Sequence, residues 1–98
     1  MHGFKRVLWW LIAGSHGGIN RGRILTELFK KACNANELAK KLQLDYKTVR
    51  HHLKVLEKNR LITHLGVDYG KMYFPSDLLE KNKIYFDEIW SKIGKNQK

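Results

Sequence analysis

The chain has 98 residues, of which 43% are hydrophobic, so it can form one small folded domain and is not compositionally disordered. Nineteen lysines and arginines against nine acidic residues give a formal net charge of +10, which is typical of proteins that bind a polyanion. The single cysteine, Cys33, excludes an internal disulfide and favours a reducing compartment. The apolar run at residues 7–13 is too short to span a bilayer, so we expect no membrane segment.

The first predicted helix covers residues 4–13 and carries apolar side chains on almost every side. A helix without a polar face needs cover on more than one side, so we expect a second subunit to supply part of it. Glycines within residues 14–18 then break the chain. A second helix is predicted at residues 20–31, with one apolar stripe made of Ile24, Leu25, Leu28 and Phe29.

A third and a fourth helix are predicted on either side of a short turn at residues 43–45. Asn34 can cap the third helix, and Glu37 stands three positions later, where it completes a capping box. Asp45 can cap the fourth helix, which begins at Tyr46 and runs to about residue 59.

The fourth helix has one apolar face and one basic face. At about 100° per residue, Val49, Leu53 and Leu56 fall on the inner side, with His52 at its border. The opposite face carries Lys47, Arg50, His51, Lys54 and Lys58. Residues 46–60 carry a net charge of +4 and residues 77–90 a net charge of −2, so the basic surplus is directed to one surface.

Two short strands are predicted at residues 61–65 and 71–74, joined by a loop whose glycines allow positive φ angles. A hairpin directly after the fourth helix is in the position of a wing. The last helix is predicted to start at Ser76 or Asp77 and to cover residues 76–93. The sequence therefore predicts one domain over residues 1–98, mainly α with a small β-hairpin wing, which is a winged helix-turn-helix.

The start of the fourth helix supplies the expected contacts to double-stranded DNA, because the N-terminal residues of this helix meet base edges in the major groove. Arg50 and Lys47 can donate to guanine, and Thr48 can serve a base or a phosphate. Lys71 of the wing is expected to touch the flanking minor groove or backbone. The full set of expected DNA-binding residues is Tyr46, Lys47, Thr48, Arg50, His51, Lys54 and Lys71.

The two terminal helices, 4–13 and 76–93, are expected to pair two copies of the chain in a homodimer. The expected anchors of this interface are Trp9, Trp10, Phe86, Ile89 and Trp90. A soft-metal site needs several thiolates, which Cys33 alone does not provide, so we expect no metal and no cofactor. No phosphate loop and no nucleophile beside a base is visible, so we expect no enzymatic activity.

Two alternatives to sequence-specific DNA binding remain open from the residues alone. The first is a winged-helix protein-interaction module that binds nucleic acid nonspecifically, and the second is an RNA-binding winged helix. DNA is favoured over RNA because an inserted helix suits the major groove of the B-form duplex.

Residues 34–56 resemble the ArsR-type winged-helix repressors, with the motif T-V-x-H-H-L-x-V-L at residues 48–56. Residues 9–14 and 73–77 are similar to those of archaeal transcriptional regulators of this type. The resemblance implies cytoplasmic homodimers that pair through terminal helices and regulate transcription. Gln43 and Arg60 stand where the family commonly has glycine, and both positions favour a left-handed backbone. At the end of the fourth helix we expect Asn59, and not Arg60, to adopt the left-handed conformation.

Overall fold

The computed structural model describes residues 2–94 and contains six α-helices and one β-hairpin within that range. The helices of the first half are α1 (His2–Ile12), α2 (Gly18–Lys30), α3 (Ala35–Leu42) and α4 (Tyr46–Lys58). The antiparallel strands β1 (Ile62–Leu65) and β2 (Met72–Pro75) follow, and then α5 (Asp77–Lys81) and α6 (Lys83–Gly94). This order confirms the predicted winged helix-turn-helix fold, with the hairpin as the wing. Among the described residues, no helix has the length and apolar character needed to cross a membrane.

The core is formed by the apolar stripes that the sequence predicts. Ile24, Leu25 and Leu28 of α2 are at most 2% exposed, and α1 and α6 pack against the same helix. From α4, Val49 and Leu53 point into this core, which α3 and the wing close from the other side. Burial of such side chains is the main force that holds the helices together.

The start of each helix of the helix-turn-helix is fixed by a side-chain cap, as predicted. The backbone N–H of Glu37 donates to Asn34 Oδ1 at 2.8 Å, and the backbone N–H of Asn34 donates to Glu37 Oε1 at 2.8 Å. Asp45 Oδ2 accepts hydrogen bonds from the backbone N–H groups of Lys47 and Thr48. These caps define where α3 and α4 begin.

The left-handed residue after α4 is Arg60, with a φ of 67°, and the expectation that Asn59 takes this role is wrong because its φ is −94°. The physical reason is the hydrogen bonding. The N–H of Leu61 donates to Leu56 O and the N–H of Arg60 donates to Glu57 O, which is the Schellman pattern. In this motif the left-handed residue is the first one beyond the cap. Gln43, with a φ of 56°, occupies the equivalent position after α3.

The predicted last helix is divided into two, so a single helix over residues 76–93 is wrong. Asn82 interrupts it with a φ of −112°. The Asn82 side-chain amide donates to Leu78 O at 2.8 Å, and such local bonds from asparagine compete with helical backbone bonds. In the wing loop, Gly66 has the expected positive φ, but the second positive φ belongs to Asp68 and not to Gly70.

Candidate nucleic-acid interface

The outer face of α4 (Lys47, Arg50, His51, Lys54 and Lys58) is exposed along its whole length. On the other side, Val49, Leu53 and Leu56 are at most 1% exposed. Tyr46 and Thr48 are half-buried at the start of the helix. The division between a basic and an apolar face is therefore as the sequence predicts, and a rigid helix presents its basic side to solvent.

A groove separates the start of α4 from the wing. One wall is formed by Tyr46 and Arg50 of α4, and the other by Tyr69 and Lys71 of the wing. Residues 34–36, at the N-terminus of α3, also line this groove. The structure thus brings Lys71 close to Tyr46 and Arg50 of α4, which are also expected DNA-binding residues.

Arg50 is held beside this groove by Tyr46, one turn earlier on α4. Its Nη1 donates to the Tyr46 hydroxyl at 3.2 Å, and its Cζ lies 5.8 Å from the centre of the tyrosine ring. The hydrogen bond to Tyr46 is the largest cause that raises the pKa of the Arg50 guanidinium above its ordinary value. Arg50 is therefore a permanent positive charge at the junction of α4 and the wing.

A buried arginine on α2, next to α4, was not predicted as a functional or structural residue from the sequence. Arg21 is 5% exposed, and its Nε donates to Leu11 O at 2.9 Å. Its Nη2 donates to His16 O at 3.2 Å and to the Ser15 hydroxyl. Its Nη1 lies 3.3 Å from Nδ1 of His52 on α4. The available signal was the spacing, since Arg21 precedes Ile24, Leu25 and Leu28 on the same helical stripe.

His52 is the α4 residue at the border of the two faces, and it is 7% exposed. Burial is the largest cause that lowers the pKa of His52 below its ordinary value, followed by the charges of Arg21 and His51. Burial also lowers the pKa of Arg21. His52 is thus neutral at physiological pH, with Nδ1 free to accept the hydrogen bond from Arg21.

The aromatic residues expected at a subunit contact fall into two groups. Trp9 and Trp10 are 47% and 59% exposed on α1. Phe86 and Ile89 are at most 3% exposed because they fill the core of their own chain, so the structure does not present them to a partner. Trp90 is half-buried over Gly22, where a Cβ atom would lie 2.2 Å from the tryptophan ring.

Within residues 2–94, no group of three or more histidine, cysteine, aspartate or glutamate side chains is arranged to hold a metal ion. Cys33 is fully buried, where its backbone pairs with that of Tyr73. In this environment Cys33 acts as a small core residue.

Residues 20–64 match the family model described as "Bacterial regulatory protein, arsR family". This match confirms the resemblance found in the sequence. A comparison with curated proteins gives no match.

Three solved structures are similar in fold. The transcriptional regulator HlyU from Vibrio vulnificus CMCP6 is 23% identical, with a TM-score of 0.68 over 92% of this chain and 88% of the other. An ArsR-like transcriptional regulator from Rhodococcus sp. RHA1 is 20% identical, with a TM-score of 0.64 over 94% and 83%. A point mutant of MepR from S. aureus, bound to an oligodeoxyribonucleotide, is 22% identical, with a TM-score of 0.62 over 97% and 73%. At these identities the likeness shows the fold alone.

Proposed function

We propose that this chain, an ArsR-like winged helix-turn-helix protein with its arsR-family segment at residues 20–64, is a cytoplasmic transcription regulator that binds specific sequences of double-stranded DNA as a homodimer. The observation that carries the proposal is the exposed basic face of α4 beside the wing groove. When a nucleic acid binds along this surface, several lysine and arginine side chains neutralise its phosphates at once, and the counterions of those phosphates are released.

The start of α4 is the part that would read base edges in the major groove. Lys47 and Arg50 are exposed donors that suit guanine, and Thr48 lies between them in sequence. Lys54 lies one turn further along and is suited to a phosphate. The MepR mutant has a similar fold, and its structure contains an oligodeoxyribonucleotide, which supports a DNA ligand for this fold.

Lys71 and the N-terminus of α3 would hold the DNA backbone on the wing side. The free N–H groups of the first turn of a helix favour a phosphate, and the groove places residues 34–36 next to Lys71. Contacts of this kind set the register of the protein on the duplex without reading sequence.

The second copy would pack on α1. Trp9 and Trp10 are large apolar side chains that a monomer leaves open to water, and Val7 beside them is 37% exposed. Phe86 and Ile89 would support this surface from inside the chain rather than contact the partner. A two-fold dimer would set two α4 helices about 34 Å apart, which matches half-sites one helical turn apart.

The DNA proposal is tested by selecting bound duplexes from a random library and titrating the preferred one by fluorescence anisotropy. We expect Arg50→Ala to weaken binding by about 1–3 kcal/mol and to relax sequence preference. Lys54→Ala should weaken all duplexes alike and reduce the slope of log K against log salt by about 0.9. Lys81→Ala removes the same charge from α5, outside the proposed surface, and is the matched control.

Three results would contradict the DNA proposal. One is the absence of any preferred duplex, which would favour a protein-interaction module. Another is unchanged specific binding in Arg50→Ala. The third is tighter binding to structured RNA than to any duplex.

The dimer is tested by sedimentation velocity of the wild-type chain and of Trp9→Ala/Trp10→Ala. The double variant should dissociate to monomers at concentrations at which the wild type is dimeric, because the exposed aromatic surface of α1 is lost. Leu65→Ala is the control, since Leu65 is also an exposed apolar residue but lies on the wing, outside both terminal helices. A monomeric wild type, or a double variant as dimeric as the wild type, would exclude this interface.

A further inference from the structure

The tip of the wing, residues 65–69, is unusually apolar. Leu65 is 70% exposed, Val67 is 75% exposed and Tyr69 is 83% exposed. With Ile84 they are the four most exposed large hydrophobic side chains among residues 2–94, and three of the four lie within five consecutive positions. Isolated exposed apolar residues are normal on protein surfaces, but a cluster at the end of a projecting hairpin marks a contact surface.

Apart from Lys71, the wing carries no lysine or arginine for binding a phosphate backbone. Across residues 62–75 the only lysine, arginine, aspartate or glutamate residues are Asp68 and Lys71, which cancel. The basic charge of this part of the protein belongs to α4 instead. The wing tip therefore contributes contacts of a different kind, which depend on apolar surface and shape.

The backbone of the wing holds this tip in a fixed form. The N–H of Gly70 donates to Val67 O at 2.9 Å and the N–H of Lys71 donates to Asp68 O at 3.3 Å, which closes one 3-10 turn at Asp68–Gly70. At the base of the wing, His64 lies 2.5 Å from Glu57 of α4 and pairs with the buried Tyr73 across the hairpin. Since the next pair, Leu65 and Met72, points to the opposite face of the hairpin, Leu65 faces away from α4.

The tip is also continuous with the proposed DNA surface. Tyr69 lines the same groove as Arg50 and Lys71, so a duplex seated on α4 passes directly beside the tip. A minor groove is about 6 Å wide, whereas two paired strands are already about 4.8 Å apart before their side chains are counted. A hairpin tip of this width can enter the groove only if the groove opens.

We propose that the wing tip is an apolar wedge, which inserts Leu65, Val67 and Tyr69 into the minor groove next to the segment bound by α4 and partly unstacks a base step there. The inference rests on the proposed function and adds a source of specificity to it. Insertion of apolar side chains between base pairs bends and opens DNA, and pyrimidine–purine steps such as TA resist this least. The wing would thus select sequences by deformability and not by hydrogen bonds to bases.

The test compares two duplexes of about 30 base pairs with equal phosphate number, one with TA steps in every helical turn and one made of stiff A-tracts. A 2-aminopurine at one TA step reports unstacking through its fluorescence. We expect wild-type protein to bind the TA duplex about tenfold more tightly than the A-tract duplex (about 1.4 kcal/mol) and to increase the 2-aminopurine signal. The triple variant Leu65→Thr/Val67→Thr/Tyr69→Ser should lose both effects but keep the wild-type salt dependence, since it removes no cation.

Ile84→Thr is the matched control, because it removes an equally exposed apolar side chain far from the wing in sequence, and it should retain the preference for the TA duplex. The three substituted wing residues are largely exposed, so thermal unfolding should show that the triple variant folds like the wild type.

The outcomes separate the wedge from the proposed function. If the wild type binds both duplexes equally, or if the triple variant retains the preference, the wedge is excluded while DNA binding stands. If no duplex is bound at low salt, the proposed function fails and the wedge with it. If the triple substitution changes the sedimentation mass of the protein instead of its DNA preference, the tip is a contact between copies of the chain and the wedge is excluded.

Discussion

Replacing His52 with glutamine tests the buried contact between α4 and Arg21. The side-chain oxygen of glutamine can accept the hydrogen bond that Nδ1 accepts from Arg21 Nη1, but glutamine binds no proton in the physiological pH range. In the folded protein the pKa of His52 lies below its ordinary value of 6.5, first because of burial and then because of Arg21 and His51. The unfolded chain has no such environment, so its His52 takes up a proton near pH 6.5.

The sign and size of the effect follow from this difference. Below pH 6.5 the unfolded state binds more protons than the folded state, so the free energy of unfolding falls as the pH falls towards the folded pKa. Above pH 6.5 both states are neutral at this ring and the effect vanishes. Uptake of one proton changes the free energy of unfolding by at most about 1.4 kcal/mol per pH unit. Between pH 6.5 and about pH 5.5 the free energy of unfolding therefore falls by at most about 1 kcal/mol, and screening by solvent at the ring makes the fall smaller.

The assay is urea unfolding of wild type and His52→Gln at about pH 7.5, 6.5 and 5.5. All other titrating groups are shared, so subtraction of the two series isolates His52. We expect the wild type to lose more stability than the variant on acidification. Equal losses in both proteins would refute the reasoning, because they would show that His52 takes up its proton as easily in the folded state as in the unfolded chain.

Three further substitutions test other parts of the fold by urea or thermal unfolding. Gly22→Ala should destabilise by about 1–3 kcal/mol and change tryptophan fluorescence, since its Cβ meets the Trp90 ring at 2.2 Å; unchanged stability would mean that Trp90 can move aside freely. Asn34→Ala should cost about 1 kcal/mol through the loss of the capping box, and Asn34→Asp should retain most of that stability. Arg60→Gly should stabilise by about 0.5–1 kcal/mol because it relieves a φ of 67° while keeping the backbone bonds; destabilisation would show that the arginine side chain has a stabilising role of its own.

The features that could be predicted from the sequence are those that short-range rules determine. The capping box at Asn34 and Glu37 depends only on residues three apart, and it forms as predicted. The two faces of α4 depend on the helical repeat, which places Val49 and Leu53 inside and Lys54 outside. Because one segment determines each of these features, the surface proposed to meet DNA could be identified from its residues alone.

The features that were missed depend on contacts between segments or on side-chain hydrogen bonds at the ends of helices. Arg21 was assigned no role, because its acceptors come from α1, the following loop and α4, which the sequence does not place side by side. Asn82 ends α5 although the apolar spacing continues through it, since its amide bonds to Leu78 O. The wing loop was predicted from the sequence, but the sequence does not show whether its apolar side chains pack back onto the domain or stay exposed.

Local hydrogen bonds define both ends of the proposed reading helix, and a buried contact joins its middle to α2, which bears on how it would bind DNA. Asp45 caps its start, the Schellman turn at Arg60 ends it, and His52 joins it to Arg21, whose other bonds reach the end of α1. A shift of α4 along its axis would break the buried contact of His52 with Arg21 and would move Val49 and Leu53 out of their places in the core. In the proposed complex its side chains would therefore meet a duplex from a preset position, which lowers the ordering cost of binding. If α4 binds DNA as proposed, a duplex whose groove does not fit this position would have to deform, because movement of α4 would disturb its packing in the core.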